Sequence, residues 1–299
     1  MKHFPVLLEE VIENLKINKN GIYVDLTLGR AGHSSEILKK LDKGHLYAFD
    51  KDFDAIKESE KKLSKISNNF TLIHSDFQNL ESELKKYNIK KIDGILVDLG
   101  VSSPQLDEAE RGFSYNKDAR LDMRMNRNQT LDAHYIVNHY SEEELISLLK
   151  NNADVMLPQR VAKGIILNRP INTTLELVEI IKKSLPAKIV RIKNPAKAVF
   201  QAIRIAVNNE LDSLNILLNQ AINFLNKNGK LLIITFHSIE DRIVKKFFKS
   251  LLEQDNIDPK LPIMVEKTWK SKSFLPSKEE LNLNKRSRSA KLRVLTKLK

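Results

Sequence analysis

Along the first hundred residues, short apolar runs alternate with segments of helical spacing. Ile22-Tyr23-Val24-Asp25-Leu26 is a compact run after Gly21, and His45-Leu46-Tyr47-Ala48-Phe49-Asp50 is a second, opened by Gly44. Phe70 to His74 and Ile92 to Val97 are a third and a fourth. Runs such as Ile95-Leu96-Val97 lack polar alternation, the mark of strands buried on both faces of a parallel sheet. Between the runs, His33 to Leu41 places Ile37, Leu38 and Leu41 on one face, and Phe53 to Leu63 is a lysine-rich amphipathic pattern. Strands separated by helical segments predict βαβ units, hence an α/β domain with a parallel sheet.

The rhythm breaks after Ser103. The stretch from Gln105 to Arg127 is polar and without a clear period, and beyond it helices follow one another with no strands between them. Ser141-Glu142-Glu143-Glu144 and Thr173-Thr174-Leu175-Glu176 are capping-box starts, in which side chains satisfy the unpaired amides of a first turn. A helix from Val161 to Asn168 stops at Pro170. Asn194-Pro195 opens one long helical pattern to Asn226, with Leu211, Leu214, Leu218, Ala221, Ile222 and Leu225 as its buried stripe. The α/β order resumes with the strand Leu231 to Phe236 and the helix Ile239 to Leu252, and Val265 to Trp269 and Leu292 to Leu298 read as final strands. The expected organisation is a sheet domain made of residues 1–106 and 207–299, interrupted by a helical insertion over 107–206.

Composition narrows the class. A hydrophobic fraction of 41% suffices for a core, while no window approaches the ~18 uninterrupted apolar residues of a membrane span. Glu9-Glu10 interrupt any export-type apolar region, so the expectation is a cytoplasmic protein with no membrane partner. The absence of cysteine excludes disulfides, thiolate metal sites and thiol nucleophiles, and no metal-ligand cluster stands out. The formal net charge of +12 points towards a polyanionic partner. A chain-wide richness in Lys, Asn and Ile inflates that figure, but Lys285, Arg286, Arg288, Lys291 and Arg293 sit almost together.

In open parallel sheets ligands bind beyond the carboxyl ends of the strands, and four of those ends carry suggestive chemistry. After the first, Asp25-Leu26-Thr27-Leu28-Gly29-Arg30-Ala31-Gly32-His33 is a turn feeding a helix, whose glycines admit a ligand close to the backbone although no full GxGxxG is present. Asp50, 21 residues after Gly29, suits ribose hydroxyls, or alternatively a helix cap. Asp76-Phe77 offers an acid and an aromatic on which an adenine could rest; a capping Asp beside a core Phe is the plainer alternative. Asp98 to Gln105 follows the fourth strand. Together these ends imply a nucleoside cofactor, either a nicotinamide dinucleotide or S-adenosylmethionine.

The segment after Asp98 favours methyl transfer. An exocyclic base amine is a poor nucleophile because its lone pair is delocalised, and oxygens accepting its hydrogens assist attack. Asp98 with the turn Ser102-Ser103-Pro104 can supply them, leaving catalysis to alignment and electrostatics without a metal. His237 is a candidate base, though a strand-terminal His beside a helix start is more often structural. Arg111, Arg124, Arg127 and the basic tail with Arg286, Arg288 and Arg293 are candidate phosphate contacts. Phe113 and Tyr115 could stack on a base or fill the core.

Several blocks resemble one family. They are His3-Phe4-Pro5-Val6-Leu7-Leu8, Asp93 to Asp107, Glu110-Arg111-Gly112-Phe113-Ser114, Leu121-Asp122-Met123-Arg124-Met125, Phe200 to Ile205, Phe236 to Lys245 and Arg286 to Arg293. Spread in order over nearly the whole chain, they resemble the ribosomal RNA small subunit methyltransferase H (MraW) family. The resemblance implies a class I, Rossmann-like methyltransferase sheet with an inserted all-helical domain that contacts RNA. It implies S-adenosylmethionine as donor and N4-methylation of a cytidine, position 1402, in the decoding region of 16S ribosomal RNA, within the small ribosomal subunit. The family's cofactor motif falls on Ala31, Gly32, His33, Asp50, Phe77, Asp98 and Gln105. Two departures stand out. Ala31 replaces the first of two glycines, which suits alanine only at negative φ, and Ala153-Asp154-Val155-Met156-Leu157 lacks the family's Gly-Glu-Glu run. Two other classes predict different features: a non-catalytic assembly factor has no need of both Asp50 and Asp98, and a nicotinamide dehydrogenase favours a fuller GxGxxG and a hydride-transfer dyad.

Overall fold

Seven strands form one sheet: β1 (Ile22–Asp25), β2 (His45–Asp50), β3 (Phe70–His74), β4 (Ile92–Asp98), β5 (Leu225–Thr235), β6 (Trp269–Phe274) and β7 (Lys291–Lys297). The computed structural model describes residues 5–192, 194–254 and 267–299. The strand order is β3-β2-β1-β4-β5-β7-β6, with β1 to β5 parallel and β7 antiparallel to both its neighbours. This is the class I methyltransferase sheet that the resemblance implies. The chain divides into two compact units, one of Met1–Gly100 with Ser213–Lys299 and one of Val101–Asp212.

In the sheet unit both faces of the strands are apolar, which explains the unbroken hydrophobic runs. Val24, Tyr47, Phe49, Ile95, Val97, Leu231 and Ile233 belong to one core, with side chains of the helices Leu80–Lys86, Glu210–Phe224 and Ser238–Gln254. Tyr23, Leu46, Ala48, Leu96, Leu232 and Ile234 belong to the other, with the helices Leu8–Leu15, Gly32–Leu38 and Phe53–Leu63. The chain moves outward from β1 through β2 to β3, then returns to place β4 on the other side of β1. That reversal opens a crevice at the carboxyl ends of β1 and β4, where ligands bind in such sheets.

Three elements differ from expectation. The single long helix is two, Ala196–Asn208 and Glu210–Phe224, because Asn209 between them takes the left-handed conformation (φ +50°), which Asn tolerates better than most residues. Strand β5 starts at Leu225, ahead of the apolar run, and its register against β4 shifts between Ile92 and Gly94, with Asn228 at φ +65°. The expected strand Val265 to Trp269 is replaced by β6, and Val265 lies outside the described residues. Lys270-Ser271-Lys272-Ser273 form an exposed sheet edge, where polar residues are normal and hydropathy gives no signal.

The unit of Val101–Asp212 is helical, built on Ala133–His139, Glu142–Asn152, Pro158–Leu167, Thr174–Ser184, Ala187–Ile192 and Ala196–Asn208. The capping boxes at Ser141 and Thr173 form, and Leu145, Leu149, Val161, Ile165, Leu177, Ile181 and Ile203 are fully buried in its core. The aperiodic segment before the helices is held by side chains instead of a backbone ladder. Asn208 Oδ1 accepts from Met125 N at 2.8 Å, and its Nδ2 donates to Met123 O at 2.8 Å and Arg204 O at 2.9 Å. Helices Pro158–Leu167 and Thr174–Ser184 approach so closely at Gly164 that a Cβ there would lie 1.8 Å from Ser184 Oγ and 2.9 Å from Ser184 Cβ. Gly164→Ala is therefore expected to force the pair apart at a cost of about 1–3 kcal/mol. A lowered urea midpoint would register this; a wild-type midpoint would refute the tight crossing.

Candidate functional site

The loop after β1 is shaped by its own polar side chains. Asp25, 1% exposed, accepts from Thr27 N at 3.1 Å and Ser34 Oγ at 2.6 Å, joining the end of β1 to the first turn of the helix Gly32–Leu38. Burial raises the Asp25 carboxyl above its usual range, and the bonds from Ser34 and Thr27 oppose that. Thr27 Oγ1 accepts from Asp98 N at 2.6 Å, tying the loop to the end of β4. Gly29 turns at φ +49°, and its N–H donates to Asp50 Oδ2 at 2.8 Å while Asp52 N donates to Oδ1 at 2.8 Å. These bonds orient the Asp50 carboxylate yet leave acceptor capacity on both oxygens, since a carboxylate offers about four lone-pair sites. Burial pushes Asp50 up to about 6 against the lowering effect of those two amides. Gly32 is required by packing, because a Cβ there would meet Pro5 Cγ at 2.5 Å.

Around Asp98 the end of the sheet is rich in carboxylates. Burial first, then the nearby charges of Asp25 and Glu240, raises the Asp98 carboxyl well above the ordinary range. Asp98 Oδ1 is buried with no hydrogen-bond partner. A buried acceptor left unpaired costs about 1–3 kcal/mol, and an entering cation or N–H donor would relieve it. His33 is buried beside it, with Nε2 3.0 Å from Val6 O, so that nitrogen carries the proton, and with Nδ1 3.8 Å from Asp98 Oδ2. Phe77 opens the turn after β3, half-buried; Asp76 caps that turn through Gln78 N at 3.0 Å and pairs with Lys51 Nζ at 3.1 Å, linking the ends of β2 and β3. The carboxylates and the left-handed turn suit a cofactor that carries a cationic centre, an ammonium and a ribose.

His237 is occupied otherwise. It precedes the helix Ser238–Gln254, its Nδ1 accepts from Glu240 N at 3.4 Å, and Glu240 Oε2 accepts from Phe236 N at 2.9 Å and His237 N at 3.3 Å. Its Nε2 lies 3.0 Å from Glu240 Oε1, off the line of a hydrogen bond. This reciprocal arrangement is a helix cap, the structural alternative for this residue.

Comparison with known proteins places the chain. The model of the MraW methylase family matches residues 1–298. The chain belongs to the MraW methylase family. It is 62% identical over 297 residues to the ribosomal RNA small subunit methyltransferase H of Mycoplasmopsis agalactiae, covering 99% of each chain. It is 52% identical over 307 residues to the protein of the same name from Clostridium botulinum, again covering 99% of each. Among solved structures it is similar to a rRNA methylase from Streptococcus thermophilus, with 14% identity, a TM-score of 0.46 and coverage of 100% of this chain and 99% of the other.

The expectation of negative φ at Ala31 is corrected: Ala31 stands at φ +52°. That conformation costs an alanine roughly 1–2 kcal/mol relative to glycine. Neighbouring donors hold it: Ala31 O accepts from Ser35 N at 3.1 Å, Ser35 Oγ at 2.5 Å and Lys62 Nζ at 3.2 Å, and Lys62 Nζ also reaches Arg30 O at 3.0 Å. Asp25, Thr27, Ser34 and Lys62 are the site-shaping residues that sequence reasoning missed. Only Asp25-Leu26-Thr27, with Asp able to bond the amide two residues on, carried a local signal.

In the helical unit, Ser102 precedes the short helix Ser103–Asp107 with Pro104 in its first turn, and buried Gln105 accepts from Ser102 N through Oε1 at 2.9 Å. Phe113 is buried in the core, against which Tyr115 packs, edge-on to Phe200 with centroids 5.9 Å apart. Arg111 is corrected as a phosphate contact: it is 3% exposed, and its guanidinium donates to Arg124 O at 3.1 Å and Met125 O at 3.2 Å. Arg124 makes a two-pronged contact with Asp122, at 2.9 and 2.7 Å, and donates to the carbonyls of Arg127 and Gln129, so its charge braces its own loop.

In the sheet unit, Arg293 lies within β7 and grips Asp241 at 2.7 and 3.0 Å, an internal pairing rather than a surface one. Arg286 and Arg288 are exposed on the turn Lys285–Ser289, which buried Ser287 pins down. Among the described residues no group of three His, Asp or Glu side chains is placed to hold a metal, and no helix is long and apolar enough to cross a membrane.

Proposed function

We propose that this chain transfers the methyl group of S-adenosylmethionine to the N4 amine of a cytidine, position 1402, in the decoding region of 16S ribosomal RNA, and that it meets this RNA in the small ribosomal subunit. The observation that carries the reading is 62% identity along the full length of a ribosomal RNA small subunit methyltransferase H. The carboxylate-lined end of a class I methyltransferase sheet supports it.

Bound S-adenosylmethionine supplies an electrophilic methyl on a sulfonium. Asp50, held by the amides of Gly29 and Asp52, accepts the ribose hydroxyls. The turn through Ala31, Gly32 and His33 lies against the methionine portion, and Phe77 offers a flat face to the adenine. Asp98, with its unpartnered Oδ1, takes an N–H at the reacting end. Ser102, Ser103, Pro104 and Gln105 follow Asp98 within seven residues of chain, and that adjacency supports their part in framing the amine and the cofactor. As the new C–N bond forms, the carbon–sulfur bond breaks and the sulfonium leaves as a neutral thioether; the methylated amine then gives its extra proton to water, while His237 Nδ1 is engaged by Glu240 N in the helix cap. Arg286 and Arg288 are the tail residues whose exposure suits phosphate contact. Purified protein given S-adenosylmethionine labelled in its methyl group and unmodified small subunits should label 16S RNA. Cofactor binding without any label in RNA would overturn the substrate assignment.

A further inference from the structure

The chain-wide excess of lysine says little about where RNA sits, but the helical unit does not share it. Residues 101–212 hold 16 Lys and Arg against 14 Asp and Glu, close to neutrality. Six of those cations, Lys182, Lys183, Lys188, Arg191, Lys193 and Lys197, fall within 16 residues, and no acidic residue lies between Glu179 and Glu210. The rest of the unit is therefore net acidic, 10 cations against 14 anions. A genome-wide lysine bias would scatter charge; this unit gathers it in one stretch of chain.

Four of these cations are exposed. In the short helix Ala187–Ile192, Ile189 and Val190 pack on the core of the unit, while Lys188 and Arg191 are exposed. Lys183 at the end of the helix Thr174–Ser184 and Lys197 at the start of the helix Ala196–Asn208 are exposed on either side. None of these four has a carboxylate partner among the described residues, whereas Arg111, Arg124 and Arg204 are all spent on internal acceptors. Ile192, 78% exposed, stands among them.

We propose that Lys183, Lys188, Arg191 and Lys197 form the phosphate-gripping surface of the helical unit and hold the ribosomal RNA backbone while a cytidine is presented for methylation. The proposal rests on the RNA-substrate reading above and assigns its contact surface. The chemistry favours RNA over a membrane, since a surface-lying helix needs a broad apolar face and this one turns Ile189 and Val190 inward, leaving Ile192 alone. It replaces Arg111 and Arg124 as the insertion's contribution to binding.

The test uses the full chain with Lys183→Glu, Lys188→Glu and Arg191→Glu combined, and a second triple variant to Gln in case the reversal misfolds. Binding to unmodified small subunits is measured across a potassium chloride series. Each lost phosphate contact should flatten the logarithmic salt slope by about 0.7–0.9, so the Gln variant should lose about two units of slope and at least about tenfold in affinity at low salt. KM for the subunit should rise while cofactor affinity and kcat at saturating subunit stay near wild type. Wild-type salt slope and KM in both folded variants would overturn the proposal. So would binding of wild type, but not of the variants, to phosphatidylglycerol vesicles with no difference on subunits, which would make this stretch a lipid surface. If wild type itself fails to methylate RNA, the substrate reading fails first, and that result is distinguishable from a variant-specific one.

Discussion

Asp98→Ala is expected to lose about a hundredfold or more of its turnover even at saturating cofactor. Removing one preorganised polar group from a reacting centre costs this much where the group acts in the transition state. Asp98 is suited to such a role because its Oδ1 is buried without a partner while its amide is fixed by Thr27. Burial and the charges of Asp25 and Glu240 raise its carboxyl well above the ordinary range in the free protein. An arriving cation favours the carboxylate, and cofactor binding should release a proton from this site as pH falls towards the raised value. Asp98→Asn keeps the shape and one acceptor but cannot ionise. It should fold and bind cofactor more weakly, with the proton release gone. Full turnover of Asp98→Ala at saturating cofactor would confine the residue to a structural role.

Asp50→Ala should weaken cofactor binding about ten- to hundredfold, the value of charge-assisted hydrogen bonds worth roughly 1.5–3 kcal/mol, with the fold intact. Its titration adds a signature. Burial holds the Asp50 carboxyl at about 6 in the free protein, and the ionised form is the better acceptor for two hydroxyls. Affinity should therefore be level above about pH 7 and decline as pH falls through 6, because protonation competes with the ribose. Asp50→Asn should lack that component of the decline, leaving what Asp98 contributes. An unchanged calorimetric dissociation constant in Asp50→Ala, or a pH profile identical in Asp50→Asn, would remove Asp50 from the ribose.

The parts of this protein that the residues announce are those with local causes. Runs such as Leu46 to Phe49 are apolar at every position because both faces of β2 are covered, and Ser141 and Thr173 write their caps into four consecutive residues. The break at Asn209 is nearly silent, since the hydrophobic period continues across it while one residue changes hand. Edge strand β6 is silent too, being polar on its exposed side. Charge is where sequence reasoning goes astray. Arg111, Arg124 and Arg293 count as surface cations until the fold supplies Asp122, Asp241 and a set of backbone carbonyls for them. Asp241 lies 52 residues from Arg293 and the carbonyls that hold Arg111 lie 13 and 14 residues from it, beyond what composition can register, whereas Asp122 stands only two residues from Arg124. Ala31 shows the converse: the alanine is visible at once, but the donors that hold its left-handed turn come from Ser35 and Lys62, on two different helices.

Methyl groups from S-adenosylmethionine are expected to arrive at one cytidine amine of 16S RNA. Mass spectrometry of nuclease fragments from small subunits, methylated in vitro by the purified protein, tests this most directly. A single added methyl is expected, on N4 of the cytidine at position 1402, arriving about a hundredfold or more slowly in subunits treated with Asp98→Ala. Methylation of a different base, of a ring carbon or ribose oxygen, or of 23S RNA alone would contradict this expectation.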